Sequence, residues 1–599
     1  LFIAERVENG VRHIVNQEQR YPHGAYSRER LLVDNYIPIN TFAWPRSAAL
    51  EVGGFDETLS GLEDWDFLMR LAARLPFHHL QQETVQVRMR ADDSSAERRS
   101  QQALKDYPAL YMEMYRRHAD AGSAAVKAGR ANLLQRLGVE VEVTRQPPSM
   151  QAWLQRRVLT AAQKTLVDER LQGQGGAPHF GILIVDLQGD HAALARTLAS
   201  LNSARNNYER LQALVLTSAE GSVNSASCQV LTVRPDEWIA PLNELLAASS
   251  FDWCLLLRAG DELTPSGLMM AGLELLTAPD CRAIYCDEMF RQDGQLAAAL
   301  RPAFNLDYLL SFPAGMARHW LFRRDVVVAA GGFDPAFEQA AEFELILRLI
   351  NEGGLDGLGH VAEPLLITEA PALADNAAEQ RAITLHLQQR GYQNAVVSSS
   401  KPARYQIDYG HGQAPLVSFL ILPGERLEHL QRCVESILEN TRYPNYELLL
   451  IQQHLQADEV GTWLSALASL GEARIRVLPA GQQALAPQAL LNQAAEQALG
   501  DYLLLLSAET AAISEDWLDE LVNHAQRPEV ACVGAKLLSA DGTIARASLI
   551  LGLEGPVGKP YVREPLDAPG YMQRLQVAQN SSAVGHECLL VAKAVFLQL

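Results

Sequence analysis

Residues 417–451 read VSFLILPGERLEHLQRCVESILENTRYPNYELLLI, and this stretch decides the fold class. The apolar run Val417–Leu422 has the length of a buried strand, and a Pro-Gly turn follows it. Apolar residues then recur at helical spacing over residues 427–438, and a second apolar run begins at Tyr446. A strand, a helix and another strand in this order predict a mostly parallel sheet covered by helices.

The same alternation of strands and helices extends over two long parts of the chain. They are residues 178–395, the second region, and residues 415–599, the third region. Residues 93–177 are mostly helical in pattern and end in Gly-Gln-Gly-Gly-Ala-Pro at 173–178, the composition of a flexible linker. Residues 1–92, the first region, precede this helical linker.

An internal repeat relates these regions. The sequence Gly-Gly-Phe-Asp at residues 53–56 returns at residues 331–334, and at the same spacing Arg70 corresponds to Arg348. A third copy begins at residues 591–593. The repeat predicts three copies of one domain, of which the outer two are truncated in this chain.

Composition excludes several classes of protein. A chain of 599 residues is too long for one hydrophobic core, and its net charge of −20 opposes sequence-independent binding to nucleic acid or anionic lipid. No apolar run reaches the ~20 residues that a transmembrane helix needs. The seven cysteines contain no Cys-x-x-Cys pair, which favours a reducing compartment. We therefore expect the cytoplasm, with peripheral association at the inner membrane as the alternative.

Three segments of the first region carry a resemblance to a known family. Asn-Tyr-Ile-Pro at residues 35–38 leads to Gly-Gly-Phe-Asp-Glu at 53–57 and then to Glu-Asp-Trp-Asp-Phe at 63–67. In this order they resemble the acceptor-side half of family-2 glycosyltransferases of the GT-A fold. Residues 527–544 of the third region also look like this family. The resemblance implies an α/β chain of repeated, Rossmann-like GT-A domains of the multidomain bacterial type, joined by a helical linker.

The chemistry of sugar transfer explains the acidic pair. An acceptor hydroxyl is a poor nucleophile, so a carboxylate must accept its proton during the attack on the anomeric carbon. By resemblance, Asp64 is this base and Glu63 shapes the acceptor site. The alternative interpretation is that Glu63, Asp64 and Asp66 only stabilise the N-terminus of a helix. The Gly-Gly-Phe-Asp-Glu segment at the family's spacing favours the base.

The second region departs from the family at its acidic positions. Where a metal-binding Asp-x-Asp is expected after the strand, the chain has Arg258-Ala259-Gly260, followed by Asp261. The repeat places Glu342 at the position of Asp64. Asp261 stays a candidate donor-binding residue, but a cation at the position of a metal ligand predicts that this copy is non-catalytic.

The third region is similarly altered. Ser507-Ala508-Glu509 takes the place of Asp-x-Asp, which leaves Glu509 as the candidate residue for donor and metal binding. The resemblance implies a divalent cation, Mn²⁺ or Mg²⁺, in an intact domain, but one carboxylate holds such an ion weakly. We interpret His586-Glu587 as a hydrogen-bonding pair, because no third ligand is visible.

These observations lead to one main hypothesis and two alternatives. The main hypothesis is an inverting glycosyltransferase that uses Asp64 and moves a sugar from a nucleotide-sugar to a glycan, lipid-linked or protein acceptor. Such a reaction would serve surface polysaccharide synthesis, such as that of O-antigen, or glycoprotein synthesis. The first alternative is a non-catalytic glycan-binding or scaffold protein made of degenerate copies. The second is a third region that is active through Glu509.

Overall fold

The computed structural model describes most of the chain. Described are residues 2–8, 11–18, 26–56, 58–59, 61–80, 85, 87–90, 108–118, 123–137, 149–173, 176–202, 206–219, 228–292, 294–453, 458–479, 485–553 and 555–599. Glu57, residues 174–175 of the predicted linker, and residues 93–107, 119–122 and 138–148 of the predicted helical segment lie outside them. The chain divides into two compact units, Leu1–Pro147 and Pro148–Leu599. No helix in the described ranges is long and apolar enough to cross a membrane.

The first unit combines a small sheet with a helical core. Its sheet has the order β2-β1-β3, in which β1 pairs antiparallel with β2 and parallel with β3. The core lies around α3, where Trp65 and Leu68 are fully buried and the Trp65 indole N–H donates to the Leu31 carbonyl oxygen at 2.7 Å. The elements are β1 (Phe2–Glu8), β2 (Val11–Glu18), α1 (Arg28–Leu31), α2 (Arg46–Glu51), α3 (Glu63–Ala72), β3 (Val87–Arg90), α4 (108–117) and α5 (Ala124–Arg136).

The second unit contains the sheet of the second region. Its strands follow the order β6-β5-β4-β7-β11-β9-β12-β8, and β10 pairs with β9. Strands β4 to β7 are parallel, whereas β11 is antiparallel to both of its neighbours. The strands are β4 (Phe180–Asp186), β5 (Leu211–Thr217), β6 (Cys228–Thr232), β7 (Trp253–Arg258), β8 (Glu262–Leu263), β9 (Ala283–Gln292), β10 (Gln295–Ala299), β11 (Trp320–Arg323) and β12 (Leu358–Glu369).

Helices surround this sheet, and a hairpin follows it. The helices are α6 (Met150–Arg156), α7 (Ala161–Gly173), α8 (His191–Ser200), α9 (Ile239–Ala248), α10 (Gly267–Leu275), α11 (Leu306–Ser311), α12 (Arg324–Ala329), α13 (Ala341–Gly353) and α14 (Ala377–Gln389). The hairpin consists of β13 (Val396–Lys401) and β14 (Arg404–Asp408), which pair antiparallel.

The sheet of the third region has the order β17-β16-β15-β18-β24-β19. Alternate side chains of β15 pack on opposite faces. Phe419 packs with α15, whereas Leu420 packs in a second core with α17. The elements are β15 (Val417–Leu422), α15 (Leu427–Glu439), β16 (Tyr446–Ile451), α16 (Asp458–Ser469), β17 (Ile475–Leu478), α17 (Pro487–Gln497), β18 (Tyr502–Ser507), α18 (Trp517–Ala525), β19 (Cys532–Gly534), β20 (Leu537–Leu538), β21 (Ile544–Arg546), β22 (Ile550–Leu551), β23 (Val557–Gly558), β24 (Cys588–Ala592) and α19 (Lys593–Phe596).

The two large sheets share one strand order. In each, the third, second, first and fourth strands of the region lie side by side and parallel, and an antiparallel strand follows the fourth. The α/β fold class with repeated sheets is therefore confirmed. The domain boundaries at residues 92, 177 and 395 stay predictions.

The repeated glycine pairs are turns held by an arginine. Gly53 and Gly54 have φ of 85° and 69°, in the left-handed region that favours glycine. Arg70, on α3, donates to the Gly54 carbonyl oxygen at 2.8 Å and to that of Val52, and pairs with Asp66 at 2.7 Å. Arg348, on α13, makes the corresponding contacts with the carbonyl oxygens of Gly332 and Ala330 and with the Glu344 carboxylate.

Candidate functional site

Asp64 lies on the first turn of α3, next to a strained residue. Leu62, directly before the helix, has φ of 62°, a conformation that is costly for a side chain of this kind. The Asp64 carboxylate is half-buried, and its Oδ1 accepts from the Trp65 backbone N–H at 2.8 Å and from Asn35 Nδ2 at 3.3 Å. Both donors contact the same oxygen. In the described part of the chain, no residue donates a hydrogen bond to the second oxygen, Asp64 Oδ2.

The surroundings of Asp64 make it a stronger base than an ordinary aspartate. Burial raises its pKa, and the neighbouring Glu63 carboxylate raises it further, against the opposing hydrogen bonds from Trp65 and Asn35. Glu63 itself is exposed. The predicted base and its acidic neighbour therefore lie together at one helix N-terminus, although their roles remain a prediction. Asn35 is a contact that the sequence analysis did not assign, although its motif was recognised.

The second region contains a cavity of about 570 Å³ at the carboxyl ends of β4 and β7. In open parallel sheets ligands bind at this edge. Arg258, at the end of β7, lines the cavity together with Arg318 and Glu342. Glu342 is the second residue of α13, as Asp64 is of α3, and its Oε1 accepts from the Trp320 backbone N–H at 3.1 Å. Burial raises the pKa of Glu342, against the opposing effect of His319, Arg318 and Arg258.

Asp261 is held by protein groups rather than facing the cavity. The residue is buried, and its Oδ2 accepts from the Arg258 backbone N–H at 2.8 Å and lies 3.2 Å from His319 Nε2. The other ring nitrogen of His319 lies 2.7 Å from Glu288 Oε1, and Arg301 also pairs with Glu288. Burial lowers the pKa of His319, but the two carboxylates outweigh it and raise the pKa to about 9. The imidazolium therefore links two buried carboxylates.

Glu509 in the third region stands alone as a carboxylate. Its side chain is 76% exposed just beyond the end of β18, with His429 Nδ1 at 4.0 Å from Oε1. Arg432 donates to the Glu509 carbonyl oxygen at 3.1 Å. Glu587 pairs with Arg546, while His586 Nδ1 lies 3.8 Å from Glu587 Oε2.

Neither donor set fits a hard divalent cation. Such an ion takes six or more oxygen ligands and needs carboxylates that are not already engaged. In the second region a guanidinium occupies the expected ligand position, and Asp261 is engaged by Arg258 and His319. In the third region Glu509 has two basic side chains as neighbours. Across the described ranges, no cluster of three or more His, Cys, Asp or Glu side chains could hold a metal ion.

Sequence comparisons connect the chain with known proteins. Residues 425–573 match the family model Glycosyl transferase family 2. The O-antigen biosynthesis protein RfbC of Myxococcus xanthus is 29% identical over 528 residues, which cover 83% of this chain and 40% of that protein. The uncharacterized protein y4gI of Sinorhizobium fredii is 30% identical over 396 residues, covering 64% of this chain and 42% of that protein. The chain thus spans about two fifths of the length of these relatives.

A comparison with solved structures finds S. aureus TarS 1-349 in complex with UDP. It is 11% identical, covers 35% of this chain and 65% of that chain, and has a TM-score of 0.29. The segment with Glu63 and Asp64 lies outside the residues that match the family model. Residues 425–573 are thus similar to glycosyl transferase family 2, in agreement with the resemblance that residues 527–544 carry.

Proposed function

We propose that this chain transfers a sugar from a nucleotide-sugar donor to a glycan, lipid-linked or protein acceptor during surface polysaccharide synthesis. The family match of the third region and the alignment with an O-antigen biosynthesis protein support the reaction class. The observation that carries the proposal is the Asp64 carboxylate, which is half-buried beside Glu63 and has a raised pKa. The absence of any Cys-x-x-Cys pair from the sequence supports a reducing location, and we propose the cytoplasm.

In this proposal the two carboxylate oxygens of Asp64 have different tasks. Oδ1 is held by the Trp65 N–H and the Asn35 amide, which fix the orientation of the carboxylate. Oδ2 is left to accept the proton of the acceptor hydroxyl. As the hydroxyl oxygen bonds to the anomeric carbon, the bond from that carbon to the diphosphate oxygen breaks and takes its electron pair with it. A single displacement of this kind inverts the anomeric configuration.

The test is a conservative substitution in the full-length protein. Asp64→Asn keeps the side-chain shape but removes the base, and we expect the transfer rate to fall by about 10²- to 10⁴-fold. A matched control is Glu113→Gln, which exchanges a half-buried carboxylate on α4, paired with Arg116 and Arg117, for an amide in the same unit and should leave the rate unchanged. Thermal melting of both variants separates chemistry from folding. An Asp64→Asn protein that transfers sugar at the wild-type rate would exclude Asp64 as the base.

A second candidate function is a glycan-binding scaffold without transfer activity. The observation in its favour is that neither the second nor the third region has a pair of carboxylates at the strand end, since the second has Arg258 there and the third has Glu509 as a single exposed carboxylate. The scaffold function would be supported if the full-length protein binds glycan but transfers sugar from no nucleotide-sugar. In that case Asp64→Asn should leave glycan binding unchanged.

A further inference from the structure

Residues 31–35, here called the anchored segment, are held in place by side chains of three helices. Buried side chains of α3, α5 and α4 each donate a hydrogen bond to one backbone carbonyl oxygen of this segment. The three bonds are Trp65 Nε1 to Leu31 at 2.7 Å, Arg130 Nε to Leu32 at 2.8 Å and Tyr115 Oη to Val33 at 2.6 Å. The backbone of three consecutive residues is therefore fixed from the protein interior.

A second tyrosine of α4 holds the next residues of the anchored segment. Tyr111 Oη donates to Asp34 Oδ1 at 3.0 Å, and the Tyr111 ring centre lies 4.8 Å from that of Trp65. Burial and the Asp34 carboxylate raise the pKa of Tyr111, against the opposing hydrogen bond from the Asn35 backbone. The Tyr111 hydroxyl thus contacts both Asp34 and Asn35, at the end of the segment that lies next to Asp64.

The Asn35 side chain connects the anchored segment with Asp64. Its Nδ2 donates to Asp64 Oδ1 at 3.3 Å. The other end of the amide, Oδ1, is buried and has no hydrogen-bond donor in the described part of the chain. A buried acceptor without a donor lowers the stability of the fold, so this amide is not placed where it would stabilise the protein most. Such an exception is typical of a residue that serves a functional site.

The second copy of the repeat lacks this amide. At the spacing of the repeat, Pro313 corresponds to Asn35 and Glu342 to Asp64. A proline side chain has no hydrogen-bond donor, and Glu342 Oε1 accepts instead from the Trp320 backbone N–H at 3.1 Å. The amide is therefore found beside the aspartate and not in the copy that has a glutamate.

We propose that α4 positions the Asp64 carboxylate, because Tyr111 and Tyr115 hold the anchored segment where the Asn35 amide reaches Asp64 Oδ1. The inference rests on the proposed function, in which Asp64 Oδ2 accepts the proton of the acceptor hydroxyl. Asn35 and Tyr111 are then positioning residues for that reaction. The proposal also assigns α4, a part of the predicted helical linker, to the site.

The test is the pH profile of sugar transfer by the full-length protein. Asn35→Ala should lower kcat by about 10- to 100-fold and change KM little, because it removes a hydrogen bond to a charged group that orients the base. The acid limb of the kcat/KM profile should move to higher pH, because this hydrogen bond favours the charged form of Asp64. Asn35→Asp adds a second negative charge beside Asp64 and Glu63, and it should move the limb further.

Tyr111→Phe tests the contribution of α4. The change removes the hydroxyl but keeps the ring against Trp65, and we expect kcat to fall by about 3- to 10-fold. The acid limb should move in the same direction as in Asn35→Ala, but less. In an Asn35→Ala background, Tyr111→Phe should have no further effect, because both changes act through the same amide. If Tyr111→Phe does not fold, Tyr115→Phe should give the same shift, since it frees the Val33 carbonyl oxygen.

Tyr208→Phe is the matched control. The Tyr208 side chain is buried in the second region, and its hydroxyl donates to the Pro178 carbonyl oxygen at 2.5 Å, so the same group is removed from a comparable setting. It should leave kcat and the acid limb as in the wild type. A change in Tyr208→Phe equal to that in Tyr111→Phe would show a general effect on folding and would overturn the proposal.

Asp64→Asn, measured in parallel, separates this inference from the proposed function. A wild-type rate in Asp64→Asn would overturn the assignment of the base and the inference with it. If Asp64→Asn loses activity while Asn35→Ala and Tyr111→Phe keep the wild-type kcat and acid limb, only the role of α4 is overturned.

Discussion

Asp307 and Arg527 form a buried, bidentate ion pair between the second and third regions. Arg527 Nη1 donates to Asp307 Oδ1 at 2.6 Å and Nη2 donates to Oδ2 at 3.0 Å. The Arg527 side chain is 4% exposed and that of Asp307 is 11% exposed. The Arg527 guanidinium lies 4.7 Å from the centre of the Tyr409 ring. Burial raises the pKa of Asp307, but Arg527 outweighs it and holds the pKa below its usual range. The pair joins the two regions within one compact unit.

Removal of one partner of this pair should be strongly destabilising. Asp307→Asn leaves the Arg527 charge buried without its counter-charge, and we expect a loss of about 3–5 kcal/mol in the free energy of unfolding, measured by urea denaturation. The double variant Asp307→Leu with Arg527→Met should recover much of this loss, because no unpaired charge remains. Asp236→Asn serves as the control. Asp236 pairs with Arg234, and their side chains are 66% and 68% exposed, respectively. The loss of this exposed ion pair should lower the free energy of unfolding by under about 1 kcal/mol.

A second prediction concerns pH and His319. The folded pKa of His319 is about 9, above the ordinary value of about 6.5, because Glu288 and Asp261 outweigh its burial. A raised histidine pKa contributes stability that is complete below about pH 6.5 and disappears as the pH rises through 9. We expect the free energy of unfolding to fall by about 3 kcal/mol between these values. In urea denaturation, His319→Gln should show a smaller fall over this pH range. An equal fall in both proteins would contradict the assignment.

The pH dependence of transfer gives a third prediction. Because burial and Glu63 raise the pKa of Asp64, activity should be lost on acidification at a higher pH than the ordinary aspartate value of about 3.9. Glu63→Gln removes a negative charge and should move the acid limb of the kcat/KM profile to lower pH. Glu113→Gln should not move it. An acid limb that Glu63→Gln leaves in place would mean that another group titrates.

A fourth prediction concerns the arginine-held glycine turns. Arg70→Met and Arg348→Met each remove hydrogen bonds to two carbonyl oxygens and an ion pair with the preceding turn of the same helix. We expect each change to lower the free energy of unfolding by about 1–3 kcal/mol. Hydrogen exchange should become faster at residues 52–54 and in α3 for the first variant, and at residues 330–332 and in α13 for the second. A uniform change across the whole chain would show a global effect instead.

The fold could be predicted from local patterns, whereas only part of the candidate sites could be. The strand, helix and strand of residues 417–451 depend on short-range periodicity, and the structure has β15, α15 and β16 there. Arg258 can be singled out from the sequence because it directly follows the apolar run of residues 254–257.

Other features of the sites depend on long-range packing. Arg318 and Trp238 belong to loops that the sheet brings to the same cavity, and no spacing in the sequence relates them. Asp261 looks like a free carboxylate in the sequence because His319, which engages it, is distant along the chain.

The glycine turns bear on how sequence motifs of this kind should be counted. Arg348 holds the second turn in the same way that Arg70 holds the first, yet the helix beside the second turn has Glu342 where the first has Asp64. The Gly-Gly-Phe-Asp motif is thus present beside two different carboxylates, and in both copies its glycine carbonyl oxygens are bound by an arginine of the same domain copy. A genome survey that counts such motifs would count folded copies of the domain, and under the function proposed above the number of active centres would be smaller.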